Sequence, residues 1–139
     1  MNCDQKEILA RLKAEHPALC KLIPQVEEAF ALLKSAYDAG GKVMICGNGG
    51  SAADSEHIVG ELMKGFLKKR SIKGAQRAAF DALDGLPAGF ADKLQGALPA
   101  IALPCHTSLT SAYSNDVAAD MIFAQQVFGY GKPGDVLIA

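Results

Sequence analysis

Net charge is nearly absent from this sequence: 14 basic residues stand against 15 acidic ones, leaving −1. Without a strong positive field, a general affinity for nucleic acid is excluded. No apolar run approaches the ~20 residues that a membrane-spanning helix needs, so a membrane-embedded function is not expected. The opening Met-Asn-Cys-Asp-Gln-Lys-Glu carries acids and no apolar core. It does not read as a secretory signal, and a cytoplasmic location is the simplest expectation. Four cysteines, Cys3, Cys20, Cys46 and Cys105, show no C-x-x-C spacing, which argues against a zinc knuckle or a redox motif. They are expected to be reduced, with Cys46 and Cys105 as small buried residues behind apolar runs.

Half of the 139 residues are apolar and 21% are charged, the balance of one soluble globular domain with a sizeable core. The single basic cluster is Lys64, Lys68, Lys69, Arg70 and Lys73. It reads as a solvated helix end and loop, with binding of an anionic ligand or partner as the alternative.

Across residues 5–39, Ile8, Leu9, Leu12, Leu19, Leu22, Ile23, Val26, Phe30, Leu33 and Tyr37 recur at helical spacing. Pro17 and Pro24 divide the stretch into two or three pieces, and Gly40-Gly41 ends it. Lys42-Val-Met-Ile-Cys46 is a continuous apolar run, expected of a parallel strand covered on both faces. Gly47-Asn-Gly-Gly50 is a turn, after which Ser51 is expected to cap a helix, with Asp54 as its capping-box partner. Ile58, Val59, Leu62, Met63 and Phe66 form the apolar stripe of that helix. Residues 67–97 read as a helical excursion or surface insertion. A second strand follows at Leu98–Leu103, with Pro99 at its start, where a missing N–H costs least. A short helix at Thr107–Ser114 and another beginning at Asp116 lead to a third strand at Val136–Ala139. Alternating strands and helices predict an α/β fold with an open, doubly wound parallel sheet. A strand placed last, without its following helix, leads one to expect an incomplete domain.

The segment Gly47-Asn-Gly-Gly-Ser-Ala-Ala-Asp-Ser-Glu-His-Ile-Val-Gly-Glu61 lies where ligands bind in such sheets, at the carboxyl end of a strand. Glycines admit a ligand to the backbone, and the helix start favours anions. A Gly-x-Gly-Gly turn is also found simply as a tight turn. It is neither a Walker loop nor a dinucleotide fingerprint. His57 and Glu61 are four residues apart and share a helix face. An imidazole and a carboxylate at that spacing can chelate Zn²⁺, or can form a solvated surface pair. Both are placed near the glycine turn and beside the apolar stripe rather than opposite it. Glu56 falls off that face and reads as solvated. His106 reads as a core or surface histidine, and His16 as structural or exposed.

The run from Cys46 through Asp54, with His57, Glu61 and Gly65-Phe66, resembles the first half of the D-sedoheptulose 7-phosphate isomerase family, a branch of the sugar-isomerase (SIS) domains. Ala100–Leu103, Leu109–Asp116, Phe123–Val127 and Gly134–Ala139 follow in that family's order, and only 67–97 departs from it. The resemblance implies a three-layer αβα sandwich of flavodoxin or Rossmann kind. Residues 1–40 would be an N-terminal helical segment for oligomerisation, and 41–139 a partial SIS domain. It also implies an isomerase that moves a carbonyl between C1 and C2 of a seven-carbon sugar phosphate for surface polysaccharide. Zinc would be bound by His57 and Glu61, with Glu61 as the base. Asn48, Gly49, Gly50, Ser51, Glu61, Asn115 and Asp116 would contact substrate, Ser51 having helix capping as its bland alternative. The expected assembly is a homotetramer with shared sites. In the family a serine/threonine-rich phosphate loop, a glutamine and a histidine follow further on. None of these is in this sequence, so the 139-residue polypeptide is expected to be inactive alone and to bind zinc weakly. The alternatives are a non-catalytic SIS module that binds a replication initiator protein, a sugar-phosphate-sensing regulatory domain, or an isomerase of another phosphosugar.

Overall fold

A computed structural model describes residues 3–139. The expectations for Met1, Asn2 and the Cys3 thiol lie outside what is described. Helix α1 spans Cys3–Glu15, a 3₁₀ turn covers Pro17–Leu22, and helix α2 spans Ile23–Asp38. The two prolines sit in the first turns of the second and third pieces, where a missing N–H leaves no helical bond unmade. The end of α2 closes as a Schellman motif. Gly41 N–H donates to Ala36 O at 2.8 Å and Gly40 N–H to Tyr37 O at 3.0 Å.

Strand β1 (Val43–Ile45), helix α3 (Gly50–Met63), helix α4 (Gly74–Asp81) and strand β2 (Ala100–Ala102) come next. Helices α5 (Thr107–Asp116) and α6 (Ile122–Tyr130) then precede strand β3 (Val136–Ile138). Asp116 therefore ends a helix instead of starting one, and a turn of 3₁₀ helix at Ala119–Met121 separates it from α6. The three strands form one parallel sheet in the order β2-β1-β3, with Met44 opposite both Ile101 and Leu137. Every residue of the central strand is buried, as its unbroken apolar run requires. Pro99 lies just ahead of edge strand β2, and its carbonyl accepts the Val43 N–H at 3.0 Å. The chain leaves β1 toward β2, then crosses back over β1 to reach β3. With right-handed crossovers, that reversal places the two connections on opposite faces of the sheet.

The core is centred on Val43, Met44, Ile45, Ala102 and Leu103. Helix α3 packs on β2 and on the Leu103–Cys105 turn behind it, and α6 touches the same turn. Between α3 and β2 the excursion folds on itself through α4, a 3₁₀ turn at Ala91–Lys93 and a Ser71–Gln95 bridge. The Phe80 and Phe90 rings meet there at 5.9 Å. No helix of the described residues is long and apolar enough to cross a membrane.

One ion pair joins the start of β1 to the start of β3. The Lys42 ammonium meets the Asp135 carboxylate, whose side chain is 6% exposed. The backbone N–H groups of Lys42 and Lys132 also donate to that carboxylate, each at 2.8 Å. The Lys42 ammonium, then its N–H, hold the Asp135 carboxyl down at about 2, from an ordinary 3.8. A lowered carboxyl stabilises the fold fully above its unfolded value, and that contribution fades as pH falls through the folded one. Asp135→Asn is therefore expected to melt several degrees below the wild type at neutral pH, and the gap should close between pH 4 and pH 2. Melting curves across that range check this; a gap that stays constant would refute it.

Candidate functional site

Strand β1 delivers the chain to the carboxyl edge of the sheet, at the point where the strand order reverses. Ligands bind at such a point in open α/β sheets. The turn there is held tightly. Gly49 has φ +56° and serves as N-cap of α3, a conformation that L side chains rarely adopt. A Cβ on Gly47 would lie 2.6 Å from the Ser51 Cβ and 2.8 Å from its carbonyl carbon. The Ser51 and Ala52 N–H groups turn back to the Asn48 and Gly49 carbonyls at 3.1 and 3.2 Å.

This geometry corrects the expected cap. No side chain caps α3, and Ser51 lies inside its first turn. The positive φ of Gly49 brings the backbone into the helix two residues earlier than a cap at Ser51 would. The Ser51 carbonyl instead accepts the hydroxyl of Ser55 at 2.7 Å.

The two glycines should respond differently to alanine. In Gly49→Ala nothing lies within 4 Å of the new methyl, so the cost is the backbone strain alone, about 1–3 kcal/mol. In Gly47→Ala the methyl meets backbone that must move, and the cost rises above ~3 kcal/mol. Urea denaturation of both variants gives the order, and an equal loss in the two would refute the close approach.

Helix α3 carries His57 and Glu61 away from this turn. Their Nε2 and Oε1 atoms are 4.0 Å apart, and the side chains are 78% and 45% exposed. The buried face of the helix consists of Ser55, with Ala52, Val59 and Leu62 half-buried beside it. His57 lies two positions from both Ser55 and Val59, which puts it about half a turn away. Within this chain the pair therefore occupies the outer face of α3, not the edge of its packed stripe. The expected stripe is itself only partly covered: Ile58, Met63 and Phe66 are exposed. Ser55, a polar residue, takes the central buried position because its hydroxyl is satisfied by its own helix.

Two donors on one tetrahedral zinc lie about 3.4 Å apart, given metal–ligand bonds near 2.1 Å. A small rotation would bring His57 and Glu61 to that separation, so nitrogen and oxygen fit as a chelating pair. The described residues hold no group of three or more His, Cys, Asp and Glu side chains suited to a metal. The pair is thus part of a ligand set and not a closed site.

Asn48, Gly49, Gly50 and Ser51 stand exposed at the turn. Asn115 and Asp116 are exposed at the far end of α5, where the Asn115 amide donates to the Asp116 carboxylate at 2.8 Å. Helix α3 joins the first group to His57 and Glu61. No hydrogen bond among the described residues joins Asn115 or Asp116 to the turn. His106 precedes α5, half-buried, with its Nδ1 3.1 Å from the Tyr130 hydroxyl and the two rings 5.3 Å apart. Cys105 is exposed rather than buried. Partial desolvation, then the neighbouring Glu56 carboxylate, push its thiol up. Glu56 is exposed as expected, yet it faces that thiol.

The residue that sequence reasoning missed is Arg70. Grouped with solvated lysines, it is instead half-buried. Its Nη2 donates to Leu62 O at 2.6 Å and reaches Glu61 O at 3.3 Å. Only the break of α3 after Met63, which lets the chain turn back, could have signalled it.

Fold and turn together define a parallel α/β domain with an anion-favouring glycine turn at its switch point. Residues 16–83 match the SIS domain family. Over those residues the chain is similar to that family. It is 39% identical to the phosphoheptose isomerase of Rhodospirillum rubrum over 116 residues, which is 84% of this chain and 48% of that protein. It is 36% identical to the phosphoheptose isomerase of Citrifermentans bemidjiense, over 95% of this chain and 58% of that one. The solved phosphoheptose isomerase of Neisseria gonorrhoeae superposes with a TM-score of 0.62 at 28% identity, across 96% of this chain and 58% of its own. The chain thus spans about half the length of the curated relatives it matches.

Proposed function

We propose that this chain contributes the glycine turn, one metal-ligand pair and the base of a phosphoheptose isomerase. The reaction interconverts sedoheptulose 7-phosphate and D-glycero-D-manno-heptose 7-phosphate, in the cytoplasm, for heptose in surface polysaccharide. The observation that carries this reading is the His57–Glu61 pair, one helical turn apart at 4.0 Å. It lies on the helix that starts at the glycine turn, in a chain 36–39% identical to enzymes of that name.

In this reading Glu61 takes the proton from C1 of the ketose and returns it to C2, while a hydroxyl proton passes from O1 to O2. An aldose results, with no net gain or loss of atoms. A carboxylate is a competent base for a proton next to a carbonyl when the developing oxyanions are stabilised. Zinc held by His57 and Glu61 would supply that stabilisation as a Lewis acid. Asn48, Gly49, Gly50 and Ser51 bind the sugar at the turn, and Asn115 and Asp116 contact it from α5.

The open outer face of α3 is, in this reading, covered by further protein that brings the remaining zinc ligands and the phosphate grip. Residues 1–40 pack subunits into a homotetramer. They carry exposed Ile8, Leu19, Leu22, Val26, Phe30 and Leu32. The 139-residue polypeptide alone then binds zinc weakly and turns over little or no substrate. The test is conversion of sedoheptulose 7-phosphate by the full-length, zinc-loaded protein, with Glu61→Gln as its control. Failure of the full-length protein to convert it would overturn the reading.

A further inference from the structure

Helix α3 ends at Met63, two residues beyond Glu61, with its last carbonyls in need of donors. Two groups from elsewhere converge on them. The Leu62 carbonyl accepts the Leu98 N–H at 3.0 Å and Arg70 Nη2 at 2.6 Å, and the Glu61 carbonyl lies 3.3 Å from the same nitrogen. A cation at a helix C-terminus is favoured by the helix dipole as well.

Arg70 is itself held in place. Its carbonyl accepts the Gly96 N–H, Ser71 bridges to Gln95, and the Gln95 side chain accepts the Gly65 N–H at 2.9 Å. A Cβ on Gly65 would sit 2.1 Å from the Lys68 carbonyl oxygen, so the chain reverses here at backbone contact. Arg70 Nε is buried with no hydrogen-bond partner, and so is the Tyr37 hydroxyl of α2. Burial pushes that hydroxyl's pKa up, and the Arg70 charge acts against the rise.

We infer that Arg70 is a positioning residue for Glu61, its guanidinium fixing the last turn of α3 against the entry of β2 so that the carboxylate is held where it must act. Glu61 is 45% exposed, and among the described residues its side chain meets only the His57 imidazole, at 4.0 Å and 78% exposed, so the backbone carrying it must supply much of that order. The inference rests on the proposed role of Glu61. Positional errors near 1 Å in such a group cost about a hundredfold in rate.

The experiment uses the full-length, zinc-loaded protein, with Arg70→Lys and Arg70→Met assayed on sedoheptulose 7-phosphate beside Glu61→Gln. Lysine keeps the charge but reaches one carbonyl, so kcat should fall about tenfold; methionine should lower it about a hundredfold. KM should stay within about twofold for both, because the turn that binds the sugar is untouched. Amide exchange in the last turn of α3 should quicken in the same order. If Arg70→Met does not fold, Arg70→Lys decides. Wild-type kcat in a folded Arg70 variant, with Glu61→Gln inactive, overturns this inference. Wild-type kcat in Glu61→Gln overturns instead the reading on which it rests.

Discussion

Glu61→Gln is expected to lower turnover of sedoheptulose 7-phosphate by about a thousandfold, within the range that general-base groups contribute. Glutamine keeps the size and shape of the side chain and removes its basicity. It also removes an anionic zinc ligand, so metal content should be measured alongside the rate. The folded chain asks little of this carboxylate. Its described ionic partner is His57 at 4.0 Å, and both side chains are well exposed. Exposed pairs of this kind contribute little to stability. The variant should therefore melt with the wild type while losing activity, and exchange of the C1 hydrogen with deuterated water should stop with it. A variant that keeps a tenth of wild-type turnover would remove Glu61 from the role of base.

Leu103→Ala is the change expected to cost the fold most. Leu103 is 0% exposed, and the turn it begins touches both α3 and α6. Truncation there removes packing from two helices at once, and the surrounding elements are too constrained to close the gap. Losses of about 2–5 kcal/mol follow buried Leu→Ala changes. A domain is held by only about 5–15 kcal/mol, so a large part of its stability would go. The urea midpoint should fall steeply with little change in slope. An unchanged midpoint would mean that Leu103 is not a centre of the core. The consequence reaches the site, because Leu103 anchors the carboxyl end of β2 against the helix that carries His57 and Glu61.

Much of the site is legible in the chain because its geometry is local. Strand β1 follows from an unbroken apolar run, and the turn from Gly47 and Gly49. The His57–Glu61 pair needs only the helical repeat. Less legible was the face on which that pair would fall. The run Ile58, Val59, Leu62, Met63 and Phe66 reads as one stripe, yet Ser55 is 1% exposed and Phe66 is 73% exposed. Periodicity shows that a helix has a face but not which neighbour covers it. The excursion between α3 and β2 was obscure for a similar reason. Its bridge from Ser71 to Gln95 and the return of Arg70 to the end of α3 are contacts between segments whose composition looks like surface.

Alternation of strand and helix, the glycine turn and one imidazole–carboxylate pair were settled by the amino-acid sequence itself, since each depends on neighbours within a few residues. Only the tertiary structure decided that Lys42 meets Asp135 across 93 positions. It alone also decided that Arg70 caps the helix of Glu61, and that Ser55 rather than the aromatic end of the stripe is buried. Those outcomes depend on which surfaces come together when the sheet closes, and no local pattern of residues carries that information.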